Sequence, residues 1–488
     1  MTEAAVMEYK QLYIGGELTD PAGGEVIEVI SPHTEEAVGR VPAACPADVD
    51  RAVAAAREAF DHGPWPRTPI GERIAVVTRI KDALAARHEE VARLISTENG
   101  SPYGWGVFAQ ALGAVLVWDA ALTVARDFVA EEPRAGVLGP LLVRREPVGV
   151  VAAVVPWNVP QFVAAAKLAP ALLAGCPVIL KPSPETPLDA YLLAGIAAEA
   201  GLPPGVLSVL PAGRETSEYL VGHPGVDKVS FTGSVATGKR VMEVAARNLT
   251  RVTLELGGKS AAIVLPDADL DAAVAGIVPN AWMNNGQACV AQTRILAPRR
   301  HYAEIADRLT AAARALVVGD PLDPATQVGP LVARRQQRRS LDYVELGRRE
   351  GATVLTGGGR PAGLPKGWYV EPTLFGDVAN TMRVAREEIF GPVVCLVPYE
   401  DEEEAVRIAD DSDYGLSGSV WTADVERGVE IARRIRTGTY SVNTFSLDML
   451  GPFGGFKNSG LGREFGPEGF AEYLEHKMIH LPAGEGAA

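Results

Sequence analysis

Val148-Gly149-Val150-Val151-Ala152-Ala153-Val154-Val155, followed by a segment of helical composition at 161–174, is the stretch that decides the fold. An unbroken β-branched run reads as a strand covered on both faces, as in parallel sheets whose crossovers are helices. The pattern repeats. Residues 177–181, 206–210, 228–231 and 252–256 read as further strands, separated by Ala- and Leu-rich segments of helix length. After Ser260 the alternation resumes, with strands at 261–265 and 293–297, a helix from about Asp269 and a long helix at about 302–318. The expectation is an α/β protein with a doubly wound unit mid-chain and a second α/β unit after it.

Composition narrows the class. The 488 residues, 47% apolar and 22% charged, suit a soluble globular protein with roughly three domains' worth of chain. Folding at this size hides about three quarters of the unfolded surface, so neither a disulfide nor a structural metal is needed. Cys45, Cys176, Cys289 and Cys395 show no paired spacing. Cys176 and Cys395 sit in apolar runs as buried small hydrophobes, and a reducing, cytoplasmic home is expected. A net charge of −15, with no Lys/Arg cluster interleaved with aromatics, argues against nucleic acid and anionic membranes as partners. Met1-Thr2-Glu3-Ala4-Ala5-Val6 lacks the basic start and apolar core of a signal peptide. The most apolar stretch, 148–180, contains Lys167 and several prolines, and its unbroken runs fall short of the roughly 20 residues that span a bilayer. His88-Glu89-Glu90-Val91-Ala92 lacks the second histidine of a zinc helix, so no metal is expected.

Cys289 lies in Asn285-Gly286-Gln287-Ala288-Cys289-Val290, a small polar turn where substrate can reach a nucleophile. Upstream, Glu255 lies in Leu254-Glu255-Leu256-Gly257-Gly258-Lys259. A thiol that attacks and a carboxylate that activates water, each beside glycines that let backbone approach a ligand, point to covalent catalysis through a thioester. Val229-Ser230-Phe231-Thr232-Gly233-Ser234 ends a strand and opens a helix at about 236–248. Unpaired N–H groups and the helix dipole at such a turn favour a phosphate. The Gly-x-Gly-x-x-Gly fingerprint is missing, and taken alone the same residues read equally as a tight structural turn.

Further motifs keep this company in a fixed order. Pro156-Trp157-Asn158, Phe231-Thr232-Gly233-Ser234, Glu255-Leu256-Gly257-Gly258-Lys259, Gly286-Gln287-Ala288-Cys289, Glu387-Glu388-Ile389-Phe390-Gly391-Pro392-Val393 and Pro452-Phe453-Gly454-Gly455-Phe456-Lys457-Asn458-Ser459-Gly460 follow one another along the chain. In order and spacing the chain resembles the aldehyde dehydrogenase superfamily, over about 15–477. The resemblance implies that Cys289 attacks an aldehyde carbon and that the Asn158 amide and the Cys289 N–H hold the oxyanion. Hydride would pass to a nicotinamide, and Glu255 would activate the water that hydrolyses the thioester, besides helping to deprotonate the thiol. A free thiol has a pKa of about 8.5 and no histidine lies near Cys289, which leaves Glu255, backbone dipoles and the cofactor's positive ring to raise the thiolate fraction. Relatives that pass the acyl group to coenzyme A tend to lack this glutamate, so hydrolysis to the free acid is implied. Lys167 matches a family lysine proposed to relay protons, and reads equally as a structural ion pair in the helix layer.

For the cofactor, the resemblance puts Trp157 near the nicotinamide, Lys181 on the adenosine ribose and Gly233 with Ser234 on the pyrophosphate. Leu256 joins these contacts, and Glu388 and Phe390 would hold the nicotinamide ribose and ring. One departure stands out. Many NAD-preferring relatives carry a glutamate three residues after the lysine, where a carboxylate accepts from ribose hydroxyls and repels a 2′-phosphate. This chain has Pro184 there, with Glu185 one place on and Arg214 in a loop near the same ribose edge. NAD is the expected cofactor, with NADP as the alternative.

By family position the aldehyde tunnel is lined by Val159, Phe162, Val163, Met283, Phe453 and the loop 444–450 containing Leu447 and Asp448. That wall lacks Lys or Arg, so neutral aliphatic or aromatic aldehydes are expected over dicarboxylic semialdehydes. Asp448 facing inward would instead suit an amino-aldehyde. From another class, a cysteine esterase or hydrolase would use the same nucleophile without a nucleotide. The fold implied is two doubly wound α/β domains plus a small β oligomerisation arm. The dinucleotide-binding domain would take 1–127 and 147–257 and the catalytic domain 258–459. The arm and tail would take 128–146 and 460–488 and build a homodimer or homotetramer. Residues 482–488 read as a disordered end.

Overall fold

The computed structural model describes residues 6–482. The first five residues, read above for a signal peptide, and 483–488 of the expected disordered end lie outside the described residues.

Five parallel strands form the centre of an eight-stranded sheet, in the spatial order Arg251–Glu255, Lys228–Thr232, Val151–Val154, Val178–Lys181, Leu207–Val209. Chain order reverses between Val151–Val154 and Lys228–Thr232. A doubly wound sheet opens a ligand crevice at the carboxyl ends of the strands on either side of such a reversal. Trp157-Asn158 and Gly233-Ser234 follow those two strand ends. The ladder starts at Val151 rather than Val148 because Gly149 turns the chain with φ +129°, where the Asp227 carboxylate leaves no room for a side chain. Val148 N–H donates instead to the Tyr473 carbonyl (2.9 Å), and Val150 N–H to Asp227 (2.7 Å).

A seven-stranded second sheet follows, in the order Thr353–Thr356, Thr373–Gly376, Val393–Tyr399, Arg294–Pro298, Ala261–Val264, Gly418–Trp421, Ser441–Val442. All pair in parallel except the edge strand Thr353–Thr356. Glu255 ends a strand of the first sheet and Ala261 begins one of the second, so the short turn 256–260 joins the two units. Cys289 lies just ahead of Arg294–Pro298. The site therefore gathers where the carboxyl edge of one sheet meets the amino edge of the next.

The helix Pro160–Ala174 lies across the first sheet with every residue but Phe162 buried. Proline at its first position suits the fixed φ of that ring, and Gly175 in the left-handed conformation ends it. Its one charge, Lys167, donates to Glu464 Oε1 (2.6 Å) and Ser230 Oγ (3.1 Å) with both charged partners buried. Lys167 is thus seated in an ion pair within the helix layer. The helical stretch Tyr103–Arg126 is long and apolar enough by length and composition to cross a membrane. Here it packs against Ile70–Ala86 and Pro160–Ala174, and its segment Gly106–Leu112 is wound as a π-helix.

The hairpin Glu131–Gly136 with Gly139–Pro147 stands apart as a small antiparallel sheet, completed by the tail strand Leu474–His480 of the same chain. Between catalytic unit and tail, Gly460–Leu461 pairs with Arg251–Glu255, and Phe465, Phe470 and Tyr473 enter the first unit's core. Apolar burial packs that segment, Leu474 included, on the first unit, while the strand Leu474–His480 pairs with the hairpin.

Replacing Lys167 with Met leaves Glu464 buried and unpaired, which costs about 3–5 kcal/mol of stability. Urea denaturation should register the loss, and a second change, Glu464→Leu, should restore most of it.

Candidate active site

The nucleophile loop owes its shape to two left-handed residues, Asn284 (φ 49°) and Asn285 (φ 63°), a conformation Asn tolerates better than most residues. Asn285 is held on both sides of its amide: Nδ2 donates to the Gly100 and Pro330 carbonyls (both 2.9 Å) and Oδ1 accepts from Gly329 N–H (2.6 Å). The turn then delivers Cys289 half-buried. Its thiol is pushed up to about 12 by burial, then by the Glu388 and Glu255 carboxylates, against the N–H groups of Cys289 and Val290 that favour thiolate. All four cysteines are free.

Glu255 is buried, and among the described residues neither carboxylate oxygen has a hydrogen-bond donor. Burial first and the Glu464 charge second hold its carboxyl well above the usual range, with Lys167 and Arg463 opposing. Asn158 is buried on the other side of the switch, and its Nδ2 donates to the Gln287 carbonyl (2.9 Å) in the nucleophile loop. An amide nitrogen carries two hydrogens, so one remains to face an oxyanion.

The expected cofactor residues fall into two groups. At the switch point, Gly233 N–H donates to the Glu255 carbonyl (3.0 Å) and Ser234 caps the helix Val235–Ala245, its Oγ accepting from Thr237 N–H (3.3 Å). The first-turn N–H groups beyond reach of any helix carbonyl are of the kind that can hold an anion. Leu256 is buried against Gly238 of that helix. Lys181, at its strand's carboxyl end, is pulled down to about 8 by burial. On the second unit, Glu388 Oε1 accepts from Gly258 N–H (2.9 Å), and burial pushes its carboxyl up to about 7. Phe390 meets Trp157 edge to face at 5.3 Å, closing the two groups on each other.

Glu185 is engaged on both oxygens. One carboxylate oxygen accepts from Ser183 Oγ and the other from Arg335 of the second unit. Arg214 opens the helix Arg214–Val221 with its side chain exposed.

Of the tunnel residues, Phe162 and Phe453 come together through Phe465, at ring centroid distances of 5.7 and 5.5 Å. Val159 packs half-buried on the same cluster and Val163 is buried within it. Met283, opening the turn Met283–Gly286, and Leu447, in the loop after Val442, are half-buried but outside that cluster. Asp448 is exposed, its Oδ1 accepting from Leu450 N–H (2.9 Å) in a local turn. Phe465 went unnoticed in the sequence, as did Asn99, Gln110 and Asn284, whose side chains all reach the Asn158 carbonyl. No local pattern marks residues that act across such separations.

Among the described residues no group of three or more His, Cys, Asp or Glu is placed to hold a metal.

The model of the aldehyde dehydrogenase family matches residues 18–479. Geranial dehydrogenase of Castellaniella defragrans is 46% identical over 97% of this chain and 99% of its own length. A 3-succinoylsemialdehyde-pyridine dehydrogenase of a Pseudomonas species is 43% identical over 97% and 98%. The crystal structure of a Mycobacterium tuberculosis aldehyde dehydrogenase complexed with NAD+ superimposes with a TM-score of 0.98 at 50% identity, covering 99% of this chain and all of that one. The chain belongs to the aldehyde dehydrogenase family, whose reaction is oxidation of an aldehyde to the acid.

With the thiol held neutral by burial and carboxylates, alkylation of Cys289 by iodoacetamide should climb about tenfold per pH unit between pH 7 and 9.5. A plateau below pH 8, read by mass spectrometry of the 289 peptide, would mean that the resting chain ionises its nucleophile.

Proposed function

We propose that this chain is a hydrolytic, NAD-preferring aldehyde dehydrogenase acting on neutral, apolar aldehydes. The observation that carries the mechanism is the convergence on one crevice of a reachable thiol, a buried carboxylate without donors and an amide with one free N–H. Cys289 sulfur bonds to the aldehyde carbon while the thiol proton leaves through Glu255 or water. The Asn158 amide and the Cys289 N–H stabilise the oxygen that gains charge. A bound NAD, held by the Ser234 helix N-terminus, Lys181 and Glu388, would supply the hydride acceptor, and Cys289 would keep the acyl group as a thioester. Glu255 then draws a proton from water, which attacks the thioester and returns the thiol. Since the Glu255 carboxyl sits well above the ordinary range, this hydrolytic limb should strengthen as pH rises through that raised value.

The residues fit the cofactor. A helix N-terminus suits the pyrophosphate, Lys181 suits a ribose, and a Cβ on Gly257 would lie 2.2 Å from Glu388 Oε2, so that carboxylate seats only over glycine. The NAD+ complex of the 50% identical structure supports NAD as well. NADP use is a finer reading: Pro184 removes the usual carboxylate, and Glu185 is engaged by Ser183 and Arg335.

The aromatic trio Phe162, Phe453 and Phe465 supports an apolar substrate. So does the 46% identity to a geranial dehydrogenase. The 43% identity to a 3-succinoylsemialdehyde-pyridine dehydrogenase favours a semialdehyde as the second reading. Exposed Val137, Leu138, Met478 and Ile479 on the arm support assembly into a homodimer or homotetramer, and four free cysteines support a cytoplasmic setting. The acidic charge speaks against nucleic acid or membrane partners.

Glu255→Gln should give a burst of reduced cofactor equal to the enzyme present, followed by slow turnover as thioester accumulates; full steady-state activity without a burst would remove Glu255 from hydrolysis. An aldehyde panel read by reduced-cofactor absorbance should give kcat/KM at least about tenfold higher for citral or octanal than for succinic semialdehyde, the weight of one well-placed interaction. The reverse order would establish the semialdehyde reading. NADP outperforming NAD in the same assay would reverse the cofactor preference.

A further inference from the structure

We propose that Gln110 is a positioning residue for aldehyde oxidation: it fixes the Asn158 main chain so that the free N–H of the Asn158 amide meets the substrate oxygen. The inference rests on the assignment of Asn158 to the oxyanion.

The Asn158 carbonyl accepts from three buried side-chain amides, Gln110 Nε2 (2.7 Å), Asn284 Nδ2 (3.0 Å) and Asn99 Nδ2 (3.1 Å). A carbonyl oxygen has two lone pairs, so two donors satisfy it and a third exceeds solvation need. The three come from separate elements: the helix His88–Asn99, the π-helical Gly106–Leu112 and the turn Met283–Gly286 that leads to Cys289. Asn158 is thereby tied to the nucleophile loop twice, by the Asn284 amide on its carbonyl and by its own Nδ2 on the Gln287 carbonyl.

Gln110 makes the shortest of the three bonds and comes from the least ordinary backbone. A π-turn adds a residue to the helical repeat and re-aims the side chains within it, commonly beside functional sites. Gly106 lets the turn seat on the preceding helix, since a Cβ there would lie 2.9 Å from Ser96 Oγ. Ser101 then orients two of the donors: its Oγ accepts from Gln110 Nε2 (3.2 Å) and donates to Asn284 Oδ1 (2.5 Å). Gln110 Oε1, by contrast, is buried with no donor. An orphaned acceptor of that kind is destabilising, because it loses its water without gaining a donor. The fold tolerates it while using the Gln110 N–H group at both ends, which marks donation to Asn158 as what the position is for.

The test uses the full-length enzyme with octanal and NAD. Gln110→Met keeps the unbranched shape and removes the donor. Its kcat should fall about tenfold, a part of what losing an oxyanion donor outright costs, with both KM values within about twofold. Iodoacetamide alkylation of Cys289, which needs no oxyanion, should keep its rate. In an Asn158→Ala background the Gln110→Met loss should vanish, because the two changes act through one group. An unchanged kcat in Gln110→Met, or a loss of the same size in both backgrounds, overturns the proposal. Should Gln110→Met not fold, Ser101→Ala takes its place, with an expected kcat loss of about threefold that likewise vanishes in the Asn158→Ala background. Persistence there overturns the proposal equally. If Asn158→Ala alone leaves kcat unchanged, the oxyanion assignment itself fails and this inference falls with it.

Discussion

The site is organised around a backbone contact. A Cβ on Gly258 would lie 2.3 Å from the Cys289 carbonyl oxygen, so the turn leaving the first sheet and the nucleophile loop entering the second touch main chain to main chain. That contact places Glu255, Cys289 and, through Gly258 N–H, Glu388 around one volume. Any side chain at position 258 would force the sheets apart and separate groups whose chemistry needs them together. The doubly wound topology contributes the third element, because the strand reversal leaves Asn158 and the Gly233 turn facing the same crevice.

Close packing also sets the resting charge state. Two buried carboxylates and a thiol lie within electrostatic reach of one another, and each is pushed toward its neutral form. A thiol kept protonated reacts slowly with oxidants, since the thiolate is the reactive species. The Lys167–Glu464 pair lies within electrostatic reach of Glu255, with opposite effects from its two members.

The central sheet was legible because strands buried on both faces leave apolar runs: Val151–Val154 and Val178–Lys181 fall within the expected strands, and Lys228–Thr232 runs one residue past the expected 228–231. Cys289, Glu255 and Asn158 were legible through glycine-bearing motifs, whose spacing reflects backbone approach. What the sequence concealed is long-range. Arg335 reaches Glu185 across the two units, and nothing local marks Arg335 as its partner. The start of the first strand moved because Gly149 bends away toward Asp227, a partner far along the chain. Phe465 was hidden by its backbone, since φ 61° with ψ 167° is a region few side chains adopt and no composition signals it. The three amides on Asn158 likewise become a group only once folded.

The left-handed pair ahead of the nucleophile bears on chemical ageing. Asn285-Gly286 is the dipeptide most apt to lose ammonia through a cyclic imide, because glycine leaves the following nitrogen free to attack. Here the Asn285 amide is clamped by three backbone partners and shut away from water. The folded loop therefore shelters its own weakest bond, and spontaneous deamidation beside the nucleophile becomes a hazard of the opened chain rather than of the working enzyme.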